Sequence, residues 1–401
     1  MPGRPLKVLL ISHTCQSLTE GQPKARILGR LPGIELRVLT PSRWKHYGKW
    51  RAPQTTADAT FGYEVRRPLW AWVGPAQNYL HWYPALASLL REFRPDVIDL
   101  WEEPWGLVSA HACRLRERLL PEARIVSETE QNIDKRLPPP FQWLRAYTLR
   151  HADHAVARNR EAIGVLRAHG YDGPAEVVGN GVDAALFRPM DREASRRELG
   201  VNGFVAGYVG RLVEEKGLTD MVDALPRCPA GVNLLFAGSG GLRAELERRA
   251  HALGVLERVR FLPPRPLPEL PQVMNALDCL VLPSRTTARW KEQFGRVIIE
   301  AQACGTPVVA SRSGAIPEVV GEGGIIVPEK SPGELAAGIT RLAADPALAR
   351  RMGAAGHSQV HQNYTWERVA ARMADIYQRV VALPRLKAGR SVPGAAAEGR
   401  A

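Results

Sequence analysis

No stretch of this 401-residue chain approaches the ~20 consecutive apolar residues that a membrane-crossing helix needs. Cysteine is sparse as well: five residues, at 15, 113, 228, 279 and 304, odd in number and never in C-x-x-C spacing. That pattern argues against a disulfide framework or a thiolate zinc site and fits a reducing cytoplasm. G-x-x-x-x-G-K-[ST] is missing, so no P-loop is present, and no G-x-G-x-x-G follows the first apolar run, which disfavours a dinucleotide oxidoreductase. D-x-D occurs nowhere. Nor is charge of one sign gathered in one place. The net charge is +13, and a division after residue 190 leaves 26 basic and 19 acidic residues before it and 28 and 22 after it. An excess of +7 and +6 spread in this way does not describe a dedicated nucleic-acid domain, although it remains compatible with phosphorylated ligands or an anionic membrane surface.

What is present describes a soluble globular protein, 45% hydrophobic and 24% charged. The opening MPGRPLKVLLISHTC places a basic residue ahead of VLLIS in the manner of a signal peptide. Its apolar stretch is too short and lacks a small-residue cleavage site, and a buried first strand explains it better. Short β-rich runs then alternate with helical periodicity. The runs are 7–12, 35–40, 64–70, 96–101, 124–128, 154–158 and 175–179, then 204–210, 233–238, 258–263, 279–283, 307–310 and 324–327. The clearest helical patterns are 78–93 and 241–254. Continuous apolar strands alternating with helices imply parallel sheets covered on both faces, and two such series imply an α/β chain of two doubly wound, Rossmann-like domains. The turn residues, proline and charged run of 180–201 mark the boundary. The expected division is 1–185 and 186–365, followed by an amphipathic helix at 366–383 and a frayed tail at 384–401.

Three segments carry candidate chemistry. In GYVGRLVEEKGL (207–218) a strand ends at Gly210, Arg211 follows, and Lys216-Gly217 precedes a helix. Ligands of open α/β sheets bind beyond the carboxyl ends of strands, so two cations there suit a diphosphate. A solvated loop with a Glu–Lys pair is an equal reading of that segment alone. GSGG (238–241) permits close backbone approach but is common after strands. KEQFGRVIIEAQACGTPVVA (291–310) holds two carboxylates, Glu292 just outside an expected helix N-terminus and Glu300 more than one turn inside it. The amides of Phe294 and Gly295 lie at the positive end of that helix. Carboxylates accept from adjacent hydroxyls, which suits a ribose diol or a sugar; the plainer reading is one capping and one surface glutamate. Separately, PSRWKHYGKWRAP (41–53) interleaves Trp44, Tyr47 and Trp50 with Arg43, Lys45, Lys49 and Arg51, and RPLWAWVGPAQNYLHWYP (67–84) adds further rings. Such a mixture suits a membrane interface near a lipid-linked acceptor or a sugar-stacking groove; rings buried beneath a long loop are the alternative.

Together GYVGRLVEEKGL, the E-x7-E spacing within EQFGRVIIEAQACGTPVVAS, and SGAIPEVV (313–320) resemble the C-terminal domain of retaining GT-B glycosyltransferases of the group 1 type, glycosyltransferase family four. NGVDAALFRP resembles that family's inter-domain segment, and the first domain is similar mainly in strand order. The resemblance implies a hexosyltransferase-type enzyme that takes a sugar from a nucleotide-diphosphate donor with retention, without a metal or a tightly bound cofactor, and passes it to a glycan or lipid-linked acceptor in polysaccharide or glycolipid assembly. It implies catalytic roles for Arg211 and Lys216 on the diphosphate and for Glu292 on the transferred sugar. Donor binding would fall to Gly210, to Glu300 at the ribose, to the Phe294 and Gly295 amides, and to Leu262 and Pro263 beside the base. The helix at 366–383 would cross back to the first domain. Relatives often have a glycine pair after the first strand and a histidine at the end of the strand written DVIDLW; here those places hold SHTCQS and Trp101. On the acceptor side the candidates are therefore His13, Trp101, Glu102 and Glu103, with Glu128 and Glu130 weaker. A cytoplasmic enzyme resting on the membrane's inner face is expected, with nucleic acid excluded as a partner. A nucleotide-sugar epimerase using those carboxylates, or a silent nucleotide-sugar-binding partner, are the alternatives.

Overall fold

The computed structural model describes residues 4–46, 49–54, 60–69 and 77–382. In chain order its strands are β1 (Leu6–Ile11), β2 (Ile34–Pro41), β3 (Trp44–His46), β4 (Lys49–Arg51), β5 (Gly62–Arg66), β6 (Val97–Leu100), β7 (Arg124–Thr129), β8 (His154–Ala157) and β9 (Ala175–Val177). A second series follows: β10 (Phe204–Val209), β11 (Val232–Ala237), β12 (Val259–Leu262), β13 (Cys279–Leu282), β14 (Val308–Ser311) and β15 (Gly324–Val327). The first sheet has the order β5-β2-β1-β6-β7-β8-β9 and the second β12-β11-β10-β13-β14-β15, every pair parallel. Helices cover both faces, so the central strands are apolar on both sides: Val8 to Ile11 and Cys279 to Leu282 are almost completely buried. This is a GT-B architecture of two Rossmann-like halves.

Strand order reverses between β1 and β6 in the first sheet and between β10 and β13 in the second. Such switch points open a crevice at the carboxyl ends of the strands, because the connections leave in opposite directions there. The segments emerging at the two crevices are Ser12–Gln16 and Trp101–Glu103 in one half, Gly210–Lys216 and Pro283–Gly295 in the other. Most of the candidate residues lie on these segments, whereas Glu300, Leu262 and Pro263 lie outside them.

The helix Trp366–Ala382 packs against the helix Gln22–Arg30 of the first half, burying Trp366, Val369, Met373, Ile376 and Tyr377. The chain thus passes between the halves twice, near Val182 and near Tyr364. The two passages are bonded to each other, Val182 N–H to Tyr364 O at 2.8 Å and Trp366 N–H to Val182 O at 3.2 Å.

Two local expectations change. The helical pattern at 78–93 is broken into Gln77–Leu80 and Leu86–Phe93, with Trp82 pairing antiparallel with Leu69 in between. Pro84 explains the break, since it has no N–H to donate and pushes the residue before it out of helical geometry. The run at 64–70 forms a strand only as far as Arg66, ahead of Pro68. Tyr47, Trp70, Trp72 and the tail 384–401 lie outside the described residues. No helix among the described residues is long and apolar enough to cross a membrane.

Candidate functional site

On the second half, β10 delivers the chain into the turn Gly210–Gly217. Gly210 and Gly238, at the ends of β10 and β11, have φ of 147° and 150°, and a Cβ on Gly238 would stand 1.9 Å from the Gly210 carbonyl oxygen. Only glycine lets these two strand ends lie so close. Tyr208 donates its hydroxyl to the Arg211 carbonyl at 2.8 Å, tying the turn to the strand below it. Arg211 is half-exposed, with Glu215 at 3.7 Å. Lys216 ends a single 3₁₀ turn, and its ammonium donates to Glu292 Oε2 at 2.6 Å. The same carboxylate oxygen accepts from Ser284 Oγ at 2.9 Å, and the Lys216 ammonium lies 4.7 Å from the centre of the Trp290 ring. Glu292 is buried, with a lysine and a serine at its tip. Burial, with the Glu292 charge second, pushes the Tyr208 hydroxyl far above its usual range.

Residues 291–295 are irregular, and Gly295 adopts φ 82° before the helix Arg296–Ala303 begins. The Phe294 ring is buried and packs edge-on against Tyr364. Glu300 lies one turn into the helix, 3.9 Å from the Arg296 guanidinium. Burial pushes its carboxyl up, and Arg296 opposes this. Glu300 and Arg296 line a cavity of about 310 Å³ whose other walls include Leu267, Asp183 and, from the first half, Thr19 and Arg26. Leu262 is buried at the end of β12 and Pro263 beyond it is exposed.

On the first half, Glu102 follows β6 and is buried, receiving the His13 backbone N–H at 2.6 Å and pairing with His13 Nδ1 at 2.7 Å. His81 Nε2 lies 3.8 Å from the same carboxylate. Burial alone would raise the Glu102 pKa, but the His13 and His81 contacts outweigh it and hold the carboxyl down to about 2. The His13 imidazole is raised in turn, against burial, by the Glu102 charge and hydrogen bond. His13 stacks on Trp44 at 4.6 Å, and both line a cleft of about 510 Å³ together with Gln16, Glu20, Arg51 and Gln54. Replacing Glu102 by Gln removes the largest of the charges that raise His13 while leaving its burial, so the imidazole is expected to titrate lower; proton NMR of its Cε1–H reads the shift.

Several placements differ from those read in the sequence. Trp101 does not reach the crevice: it is 7% exposed, with the Lys24 ammonium 4.3 Å and the Arg158 guanidinium 5.0 Å from its ring. Glu128 is taken up by ion pairs with Lys24 and Arg158 within the same buried cluster, which Tyr377 joins through a 2.5 Å hydrogen bond to Asp99. Glu103 accepts from Thr129 Oγ1 at 2.6 Å and from the Glu130 N–H at 2.9 Å, and burial pushes it up to about 7. Trp44 is 4% exposed and Trp50 42%, with Arg43 over the Trp50 ring at 4.2 Å. The aromatic-basic segment is therefore divided between a buried ring and a surface ring. Ser284, Trp290, His81, Asn132 and Asn159, all in contact with the candidate groups or their backbone, went unmarked in the sequence. Polar residues scattered over four segments leave no spacing to read.

Family models place the chain in two pieces: "Glycosyltransferase Family 4" matches residues 28–186 and "Glycosyl transferases group 1" matches residues 191–359. A D-inositol 3-phosphate glycosyltransferase of Corynebacterium jeikeium is 33% identical over 302 residues, 70% of this chain and 68% of that protein. The protein of the same name from Streptomyces bingchenggensis is 36% identical over 245 residues, and the match spans 52% of it. Among solved structures, Anabaena Alr3699/HepE in complex with UDP superposes with a TM-score of 0.71 at 20% identity, over 93% of this chain and all of that one. A sucrose-phosphate synthase from Thermosynechococcus elongatus gives 0.70 at 23%, over 94% and 99%.

Proposed function

This chain belongs to the group 1 glycosyltransferases of family four, and from that premise we propose that it moves a sugar from a nucleotide-diphosphate donor to a hydroxyl of a glycan or lipid-linked acceptor, with retention and without a metal. The observation that carries the reading is the contact between Lys216 and Glu292 at the second sheet's switch point, where a cation and a carboxylate meet with Ser284 and an open helix N-terminus beside them. A donor brings both complementary groups to that place: a diphosphate for Lys216, Arg211 and the amides of Phe294 and Gly295, and sugar hydroxyls for Glu292.

In the proposed step the acceptor oxygen bonds to the anomeric carbon on the face from which the phosphate oxygen departs. The anomeric C–O bond breaks with its electron pair going to the diphosphate, and the acceptor proton passes to the same leaving oxygen. Lys216 and Arg211 stabilise the charge growing there, a contribution of preorganised electrostatics. Glu300, buried and facing the inter-lobe cavity with Leu267, suits the ribose hydroxyls, with Leu262 and Pro263 close by for the base. On the acceptor side, His13 keeps Nδ1 on Glu102 and lines a cleft with Trp44, an arrangement fitted to a polyol or sugar. The inositol phosphate in the relatives' name is one acceptor of that description. The epimerase alternative loses support, because Glu128 is committed to Lys24 and Arg158 and Glu102 to His13.

We further propose a cytoplasmic chain that rests on an anionic membrane surface through exposed Trp50 and Trp143. Flotation with phosphatidylglycerol vesicles is expected to fall severalfold when both rings become alanine; equal flotation would refute the contact. The donor is tested by a thermal-shift screen of UDP-, GDP- and ADP-sugars. A donor at ~100 times its Kd adds about 2.7 kcal/mol of stability, which a melting curve resolves. No shift with any sugar nucleotide would overturn the reading.

A further inference from the structure

Four consecutive residues of the irregular loop before the helix Arg296–Ala303 are each held by the opposite half of the molecule. The Lys291 ammonium reaches Glu161 at 3.1 Å. The Glu292 carbonyl accepts from Asn132 Nδ2 at 2.9 Å, and the Gln293 carbonyl accepts from Asn159 Nδ2 at 2.5 Å. The Phe294 ring fills the space over Gly179, where a Cβ would stand 2.6 Å from it. Asn132, Asn159 and Gly179 come just after β7, β8 and β9, so three successive strand ends of the first sheet face this one loop.

The loop's own half holds it too, with the Phe294 ring in its hydrophobic core. Ala315 N–H donates to the Glu292 carbonyl at 3.0 Å, and Ser284 and Lys216 hold the Glu292 side chain. Gly314, at φ 53°, leaves the room this requires, because a Cβ there would lie 2.1 Å from the Glu292 carbonyl oxygen and 3.0 Å from Asn132 Nδ2. The glycine of SGAIPEVV therefore has a packing role at the junction of the halves.

We infer that Asn132 and Asn159 are positioning residues for the transfer: the first half grips the backbone on either side of the Glu292–Gln293 peptide, so the Glu292 carboxylate is brought to its working place only when the two halves are together. The inference rests on the reading of Glu292 as the group that grips the transferred sugar. Physically, a carboxylate on an irregular loop is fixed by whatever fixes its backbone. Both asparagines are buried. Asn132 Nδ2 donates to Glu161 Oε2 at 3.2 Å as well as to the Glu292 carbonyl, and Asn159 Nδ2 donates to the Gln293 carbonyl, in a place where an unmade hydrogen bond is expensive. Asn159 is committed at both ends of its amide. Its Oδ1 caps the helix Arg160–Ala168 by accepting from Ala162 N–H at 2.8 Å, while its Nδ2 crosses to the other half. Its orientation is thus determined by its partners, and one side chain joins a helix terminus of the first half to the sugar-side loop of the second. A donor that pulls the halves together is in this way coupled to the placement of the group that acts on its sugar.

The dual bonding of Asn159 supplies a clean test. Asparagine and aspartate cap helices about equally well, so Asn159→Asp keeps the cap and removes the N–H that crosses the gap. Asn132→Leu keeps the volume and removes the other donor. UDP-glucose, ADP-glucose and GDP-mannose serve as probes, with release of nucleoside diphosphate to water as the assay and melting temperature as the check on folding. Both variants are expected to unfold in a single cooperative transition, at a melting temperature lowered by the unmade hydrogen bond, and to exchange the amides of residues 291–296 faster. Each should release nucleotide roughly 10- to 100-fold more slowly at saturating donor, the scale of loss that a misplacement of about 1 Å produces. Donor KM should change by no more than about threefold, because the diphosphate contacts are untouched. The deficit of Asn159→Asp relative to wild type should narrow as the pH falls toward about 4, where a protonated carboxyl again donates to the Gln293 carbonyl. Unchanged rates and unchanged exchange in both variants would reduce these contacts to packing and overturn the inference. Should wild type release nucleotide from none of the three donors, the transfer reading is what falls, and the exchange measurement still decides whether the first half holds the loop.

Discussion

Lys216→Ala is expected to lower turnover by about 10²- to 10³-fold, the loss typical when one preorganised group facing developing charge is removed. The side chain is placed for this by a short chain of causes. β10 ends at the switch point, the 3₁₀ turn Glu214–Lys216 reverses the backbone, and Gly217 at φ 66° fits beneath the Pro283 carbonyl, which a Cβ would approach to 2.0 Å. Glu292→Ala is expected to be comparably damaging, because it removes the hydroxyl acceptor and releases Lys216 from its 2.6 Å hydrogen bond. Since the two groups touch, their effects should not add: the double variant is expected to be little worse than either single one. Steady-state kinetics on the donor identified by the melting screen measures all three. Wild-type turnover in either single variant would remove the roles assigned here.

The largest effect on stability is expected far from that pair. Lys24→Met leaves Asp99 and Glu128 facing one another in the first half's core with only Arg158 to balance them. Lys24, Asp99 and Glu128 have side chains almost wholly removed from water. Breaking one member out of such a cluster typically costs about 3–5 kcal/mol, since a buried charge is left without its partner. Burial, with the Glu128 charge second, already pushes the Asp99 carboxyl up, while Lys24 and Arg158 hold Glu128 down against its own burial. The two carboxyls are pushed in opposite directions because the cations stand nearer to Glu128 than to Asp99. Urea unfolding followed by tryptophan fluorescence is suited to the measurement, because Trp101 lies between Lys24 and Arg158 and reports the cluster directly. A midpoint equal to wild type would show that the network carries no net stability.

The sequence is most informative where the chemistry sits on one contiguous segment. Gly210 to Gly217 is a strand end followed by a turn, and Glu292 to Glu300 is a loop running into a helix start, so in each a short motif contains both the geometry and the functional groups. The parallel, doubly wound fold is legible for a similar reason: strands buried on both faces are nearly unbroken apolar runs. The place of Trp101 is not legible because its partners are distant in sequence, and the same distance leaves the readings of Trp44 open. Trp101 is flanked by cations from the helix Gln22–Arg30 and from the end of β8. Trp44 turns inward because His13, anchored by Glu102 beyond β6, offers it a ring to stack upon. A tryptophan among arginines has one appearance in a sequence and at least two positions in a fold. Asn132 and Asn159 are invisible for the same reason, as their acceptors are carbonyls, which any residue would supply.

The paired passages at Val182 and Tyr364 bear on how such a molecule opens. Two strands of chain bonded side by side resist sliding past each other, because shear would break both bonds at once, whereas bending across them breaks neither. Opening should therefore resemble the turning of a page about its spine, with one dominant angular coordinate and little translation. The loop around Glu292 travels with one leaf and the asparagines with the other.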